Sequence, residues 1–366
     1  MKEIELKLQG KIKRLSNHTF KFDRRVKNGW FSAVYFLKTK EIIEEFCPEN
    51  EVTMQFFQKQ EAVLCGTDEV IALIQEFAEK PEELEIYSLS DGDKVSPFET
   101  VMTIKGHYQN FGFLEGIIDG IFARRTSVAT NVYNVVKAAG VSGVQKPVIF
   151  MGDRDDHFTQ QAGDGYAAYI GGATAQATHA MNEWWGKQGM GTMPHALIQM
   201  FNGDIVEACK AYYKKFPEDE LTALVDYNND VITDSLKVAR EFGSLLKGVR
   251  VDTSRTLIDK YFLRNQHLLG TFDPRGVNAE LIFALRQALD AEGYQHVKIV
   301  VTGGFTEKRI EEFEKRGVPV DMYGVGSSIL KINIGFTGDN VMLNGKPQAK
   351  EGRKYRPNPR LERVEL

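Results

Sequence analysis

Ile299-Val300-Val301-Thr302-Gly303-Gly304-Phe305 is an apolar run that breaks into a threonine and two glycines. The run does not alternate with polar residues, so both faces of its strand are covered, as in a parallel sheet. At the break the chain leaves the sheet, and the glycines let backbone N–H groups converge on an anion. The same design stands at Gly248-Val249-Arg250-Val251-Asp252-Thr253-Ser254 and at Met322-Tyr323-Gly324-Val325-Gly326-Ser327-Ser328. Strands that all end this way on one face of a β/α barrel build a phosphate-binding active site. The pattern predicts an enzyme acting on a phosphorylated substrate.

Working outward, strands are predicted over 147–152, 221–226, 248–252, 297–302 and 321–324, and helices over 231–242, 278–292 and 306–316. Alternation of this kind implies a parallel sheet with right-handed crossovers, and the number of units favours a barrel over an open sheet. No Gly-x-Gly-x-x-Gly follows the first strand, which weakens a dinucleotide-binding reading. The first 110 residues are mixed α and β: a helix over 28–47, strands over 52–60 and 61–66, a helix over 68–79 capped by Thr67, then strands over 84–89 and 99–105 around Asp91-Gly92-Asp93. A long helix is predicted over 111–140. Gly163-Asp164-Gly165 and Gly171-Gly172 read as flexible segments, and the tail from Gly335 packs on the N-terminal region.

Bulk properties narrow the class. The chain has 366 residues, 42% of them apolar, enough for a full core, and a net charge of −4 without the basic stripe of a nucleic-acid binder. Cys47, Cys65 and Cys209 lie far apart with no Cys-x-x-Cys, so neither a disulfide framework nor a zinc knuckle is expected. Met1-Lys2-Glu3-Ile4-Glu5-Leu6-Lys7 is too charged to open a signal peptide, and no run is long enough to span a membrane. These features predict a cytoplasmic protein with neither nucleic-acid nor membrane partners.

Polar residues at the strand ends form the candidate site: Asp153, Arg154, Asp226, Arg250, Asp252, Thr253, Ser254, Thr302, Gly303, Gly304, Gly324, Gly326, Ser327 and Ser328. Guanidinium groups suit carboxylates and phosphates, and aspartates suit a Mg²⁺-bound pyrophosphate or ribose hydroxyls. The alternative for Asp226 and Asp252 is the N-cap of the next helix. A second constellation is Gly189-Met190-Gly191-Thr192-Met193-Pro194-His195-Ala196. Its histidine is either a packed or capping residue, or a nucleophile or proton carrier beside a ligand.

The run Gly191-Thr192-Met193-Pro194-His195-Ala196-Leu197 resembles the signature of the nicotinate phosphoribosyltransferases, within the type II phosphoribosyltransferase family. Other segments resemble the family in order: Ser32 to Thr39 its tyrosine motif, with Ala33 where an aspartate usually stands; Asp91-Gly92-Asp93 and Glu115 its N-terminal domain; Gly152-Asp153-Arg154 and Tyr169 to Ala173 its first barrel turns; Val225-Asp226-Tyr227, Gly248 to Ser254, Thr302 to Phe305 and Gly324 to Ser328 the barrel motifs; and Asn344-Gly345-Lys346-Pro347, Lys350 and Arg353 its tail. The resemblance implies an α/β fold with an incomplete β/α barrel over 126–335 and a smaller N-terminal α/β domain over 1–125, joined by the tail 336–366. It implies a homodimer or higher oligomer with a shared active site, in which Tyr35 reaches the partner's site and stacks on the pyridine ring. Arg154 would bind the nicotinate carboxylate or phosphates. Thr192, Arg250, Asp252, Thr253 and Ser254 would hold phosphoribosyl pyrophosphate with Mg²⁺. Asp226 would serve the catalytic set, and Gly303, Gly304, Gly324, Gly326 and Ser327 would cradle the 5′-phosphate. His195 matches the histidine phosphorylated in ATP-coupled members, which makes ATP a co-substrate. No structural zinc is implied. Rival substrates are nicotinamide, and quinolinate, whose second carboxylate would draw on Arg124 and Arg125. A non-catalytic barrel binding a phosphorylated metabolite is the rival of another class.

Overall fold

The computed structural model describes residues 13–365, so the charged N-terminal heptapeptide lies outside it. The chain divides into two compact units, one of residues 13–133, Ala162–Gly172 and 330–365, the other Asn134–Gln161 and Ala173–Ile329.

The first unit opens with β1 (Glu51–Gln58), β2 (Ala62–Val63), β3 (Glu85–Ser88), β4 (Lys94–Val95) and β5 (Thr100–His107). In the second unit follow β6 (Val148–Phe150), β7 (Ala175–Gln176), β8 (Leu221–Leu224), β9 (Leu246–Val251), β10 (Lys298–Val301) and β11 (Met322–Val325). The tail returns to the first unit as β12 (Phe336–Leu343), β13 (Lys346–Pro347) and β14 (Glu362–Arg363). There the sheet is antiparallel in the order β13-β12-β1-β5-β3-β14, with β2 and β4 paired separately. Met54, Phe56, Leu73, Ile104 and Phe122 belong to its core.

Several elements differ from the sequence reading, each for a local reason. The helix expected over 28–47 is Val34–Phe46, because Gly29 adopts φ 70° and ends a separate 3₁₀ turn at Arg24–Asn28. Thr67 is the first helical residue of Thr67–Phe77, not its cap; Gly66 (φ 104°) precedes it, and Asp91 Oδ1 accepts the Thr67 N–H at 2.7 Å. The long helix is Glu115–Ala138, since Phe111 leaves helical geometry at φ −141°. Gly163-Asp164-Gly165 is not flexible but lies in the helix Gln161–Ile170, where Gly163 admits a close approach: a Cβ there would stand 1.9 Å from Arg125 Cζ.

That approach serves a buried ion cluster. Arg125 Nε donates to Glu69 Oε2 at 2.7 Å and Nη1 to Asp164 Oδ1 at 3.1 Å, while Arg124 Nη2 donates to Asp164 Oδ2 at 2.7 Å. The arginines considered as extra substrate charge are thus tied to carboxylates within the first unit.

The second unit carries a six-stranded parallel sheet in the order β7-β6-β11-β10-β9-β8. Read cyclically this is chain order, with β7 and β8 as the one adjacent pair that does not bond. It is an incomplete β/α barrel with a single open seam, and the helices His195–Met200 and Ile205–Lys215 lie in the segment joining the seam strands. β7 has only two residues and no apolar run to announce it. Buried Val148, Phe150, Val249, Val251, Ile299, Val301 and Tyr323 hold the strands in a dry core. Among the described residues no helix is long and apolar enough to cross a membrane.

Two stability predictions follow from the first unit. Removing one cation of the ion cluster with Arg125→Met strands the buried Glu69 carboxylate and leaves Asp164 to Arg124 alone; this should cost about 3–5 kcal/mol, read as a lower urea midpoint. Burial, with Asp119 and Asp339 nearby, pushes Glu115 up to about 8, and burial pushes Asp119 to about 6 against the Gly338 N–H. Both folded values exceed the unfolded ones, so the native chain binds the extra protons and their contribution is lost as pH rises. The urea midpoint should fall between about pH 5 and about pH 8, less steeply at the upper end in Glu115→Gln.

Candidate active site

The parallel register brings the strand exits of the second unit to one end. Val251 pairs with Val301, so the next residues, Asp252 and Thr302, stand side by side, and Thr302 Oγ1 donates to Asp252 Oδ1 at 2.7 Å. Gly303 (φ 88°) and Gly304 (φ 73°) follow in the left-handed region, a conformation that aims successive N–H groups outward. Gly324 and Gly326 serve by their missing side chains. A Cβ at Gly324 would lie 2.5 Å from Met151 Sδ, and one at Gly326 would lie 2.6 Å from Asp155 Oδ2. Ser327 opens a 3₁₀ turn, Ser327–Ile329, and Ser328 Oγ donates to Phe305 O at 2.9 Å.

Asp226 follows β8, and both its carboxylate oxygens meet His195 Nε2, at 3.1 and 3.0 Å. The Asp226 side chain is only 6% exposed, against 46% for His195. Burial raises the Asp226 carboxyl above its ordinary value; His195 opposes the rise and Asp252 adds to it. His195 opens the helix His195–Met200 behind Pro194, and its ring centroid lies 6.4 Å from that of Tyr227. Neither aspartate is a helix cap, for Asp230 precedes Val231–Phe242 and Asp259 caps Lys260–Arg264.

Arg250 projects from β9, and its Nη2 donates to Met193 O at 3.0 Å, which ties the Thr192–His195 segment to the barrel. Burial lowers its pKa, Asp252 and Asp226 oppose this, and Arg154 adds to the lowering, so these four charges share one field. Three polar atoms here are buried without a partner: Arg250 Nε, Thr192 Oγ1 and Thr253 Oγ1. A native interior rarely leaves such groups unpaired, and three in one polar set mark where a ligand's oxygens belong. Arg154 sits in an exposed turn after β6, and Ser254 Oγ meets Thr256 Oγ1 at 3.0 Å on the surface.

Tyr35 belongs to the first unit. It lies on the helix Val34–Phe46, 64% exposed, its ring 4.4 Å from that of Phe36. The residues overlooked in the sequence are Arg255 and Arg309, whose guanidinium groups donate to the carbonyls of the Gly303-Gly304 turn. The available signal was position: Arg309 stands in the first turn of the helix Glu307–Lys315 that this glycine turn feeds.

Residues 33–125 match the family model for the N-terminal domain of quinolinate phosphoribosyl transferase. A crystal structure of a nicotinate-nucleotide pyrophosphorylase from Pyrococcus furiosus is 29% identical, with a TM-score of 0.77 over 96% of this chain and 86% of that one. These two likenesses support the type II phosphoribosyltransferase family. The human nicotinic acid phosphoribosyltransferase structure, 15% identical with a TM-score of 0.65 over 87% of this chain and 75% of that one, shares the fold. A nicotinate phosphoribosyltransferase of Mycobacterium tuberculosis is 28% identical over 285 residues, 75% of this chain. The chain spans 57% of the length of that curated relative.

The unpaired hydroxyls give a test of the site. Thr253→Val removes a buried group that lacks a partner in the unliganded chain, so it should raise unliganded stability by about 1 kcal/mol. The same change should shrink the thermal stabilisation given by ribose 5-phosphate. Both are read from melting curves with and without the ligand.

Proposed function

We propose that this phosphoribosyltransferase joins nicotinate to phosphoribosyl pyrophosphate, forming nicotinate mononucleotide and pyrophosphate in the cytoplasm. The observation that carries the reading is the set of unpaired donors on Arg250, Thr192 and Thr253 beside two glycine exits. Such a set suits a ligand with many anionic oxygens. The names of the Mycobacterium tuberculosis and human relatives support nicotinate as the pyridine substrate. The fate of Arg124 and Arg125 supports it too: bound to Asp164 and Glu69, they are committed to other carboxylates than a second one on quinolinate.

The pyridine nitrogen attacks C1 of the ribose as the bond to pyrophosphate breaks, so the chain needs alignment and electrostatic stabilisation rather than a base. In this reading Arg154 faces a carboxylate or phosphate, Arg250 and the Thr253 hydroxyl hold the phosphoribosyl oxygens, and the glycine exits take the 5′-phosphate. Asp226 and Asp252 fit Mg²⁺, offering hard carboxylate oxygens within one field. Bound there with the substrate, the ion would supply charge neutralisation for the departing pyrophosphate. Tyr35, exposed on its helix, is available to a pyridine ring in the site of a partner subunit.

His195 supports coupling to ATP. Asp226 holds Nε2, which fixes that nitrogen as the proton carrier and leaves the Nδ1 lone pair open to a phosphoryl group. Attack by Nδ1 on the γ-phosphorus forms the P–N bond and releases ADP.

The deciding assay is mononucleotide formation with nicotinate, nicotinamide and quinolinate offered separately, each with and without ATP. Nicotinate should turn over, ATP should stimulate it, and His195→Ala should abolish the stimulation while leaving ATP-independent turnover. Turnover of quinolinate or nicotinamide in preference would refute the substrate assignment, and no product from any of the three would refute the activity.

A further inference from the structure

Arg309 is a half-buried cation whose hydrogen bonds go to neutral groups. Its Nη1 donates to Gly303 O at 3.1 Å and reaches Gly304 O at 3.4 Å, and its Nη2 donates to Val277 O. Its guanidinium carbon lies 4.4 Å from the centre of the Phe305 ring and 5.8 Å from that of Phe313. The carboxylate that acts on it is that of Glu312, with which it makes no hydrogen bond among the described residues. Arg255 converges on the same turn, donating to Gly304 O. Two like charges beside one pair of carbonyls repel each other, and partial burial of one of them adds to that cost, which Glu312 offsets only in part. Burial, with Arg255 beside it and Glu312 opposing, holds Arg309 down to about 10, so it is still charged at neutral pH.

That cost has a geometric return. In a trans peptide the N–H points opposite to the carbonyl of the same plane. Capturing Gly303 O therefore aims the Gly304 N–H away from Arg309, and capturing Gly304 O does the same for the Phe305 N–H. Neither N–H has an acceptor among the described residues. Glycines with φ of 88° and 73° would otherwise rotate freely, since neither has a side chain to fix it.

We infer that Arg309 is a positioning residue for substrate binding: by gripping the carbonyls of Gly303 and Gly304 it pre-aims the N–H groups of Gly304 and Phe305 at the phosphate of the phosphoribosyl substrate. The inference rests on the proposed activity. It places one requirement for that activity outside the ligand's reach, on the helix Glu307–Lys315. A lysine there would keep the charge and lose the planar fork that spans two carbonyls.

The test compares wild type with Arg309→Lys and Arg309→Met as whole chains, reading ribose 5-phosphate affinity by calorimetry and KM for each substrate. Both variants should lose about tenfold in ribose 5-phosphate affinity and raise the KM for phosphoribosyl pyrophosphate by a like factor. The KM for nicotinate should stay within about twofold, a split that general damage to the fold would not give. Wild-type affinity in either variant overturns the proposal, and full rescue by lysine alone overturns it in favour of a pure charge effect. An equal rise in both KM values overturns it as well. If wild type itself fails to bind ribose 5-phosphate, the functional reading falls and this inference with it; a wild type that binds while the variants bind equally well removes only the inference.

Discussion

The register between β9 and β10 is the constraint on which the site depends. Val251 opposite Val301 sets Asp252 against Thr302, and their hydrogen bond closes the ladder just where the sheet ends. The same ladder continues with Val301 opposite Tyr323 and, one strand further, Val325 opposite Phe150. A slip of one residue would turn every side chain to the opposite face and bury Asp252 where Val251 now packs. Buried apolar residues on both faces of the strands forbid that slip, so the core and the site are specified together. The exits differ in chemistry because they are free to differ: beyond the last paired residue, no packing requirement limits what the chain presents.

Buried charge is used in two contrasting ways. In the first, Glu69, Arg125, Asp164 and Arg124 form a closed network, and Gly163 is bare so that the guanidinium can lie against its helix. In the second, Arg250 spends one nitrogen on Met193 O and leaves Nε buried and unpaired, with the Thr192 and Thr253 hydroxyls in the same condition. Paired buried ions contribute rigidity and little net stability, whereas unpaired ones cost stability outright. A chain tolerates the second kind where a ligand completes it.

What was legible in the sequence was whatever backbone hydrogen bonding and burial dictate locally. Runs such as Ile299-Val300-Val301 announce a doubly buried strand, and the glycines behind them announce an exit; the parallel sheet follows from their alternation with helices. Elements whose cause lies elsewhere in the chain were not legible. β7 pairs with β6 through two residues that carry no pattern, and Thr67 is capped by Asp91 from a distant turn. Gly163 looked like a flexible point because its reason, Arg125, is remote in sequence. At the candidate site, strand-end position picked out Asp226, Arg250 and Asp252, which the structure brings into one field, but it did not pick out Arg255 and Arg309 behind the glycine turn. Arg309 faces carbonyls, and no residue pattern marks a carbonyl that needs holding.

The charges in the barrel unit suggest why a phosphoribosyltransferase would rely on backbone rather than on more arginines. Arg154 and Arg250 are matched by Asp226 and Asp252, so the four ionic side chains sum to no net charge. A site crowded with cations would bind a polyanionic substrate and its pyrophosphate product alike, and uniform binding of that kind does not accelerate the reaction. Fixed N–H dipoles at glycine turns need no reorganisation as charge moves from the ribose toward the leaving group. They also hold no counter-ion that must be displaced. Keeping such dipoles in place is then the structural problem, and it is met from behind the turn, where Arg255 and Arg309 occupy the carbonyl oxygens. The cations sit one peptide removed from where the phosphate would bind, orienting the groups that would touch it.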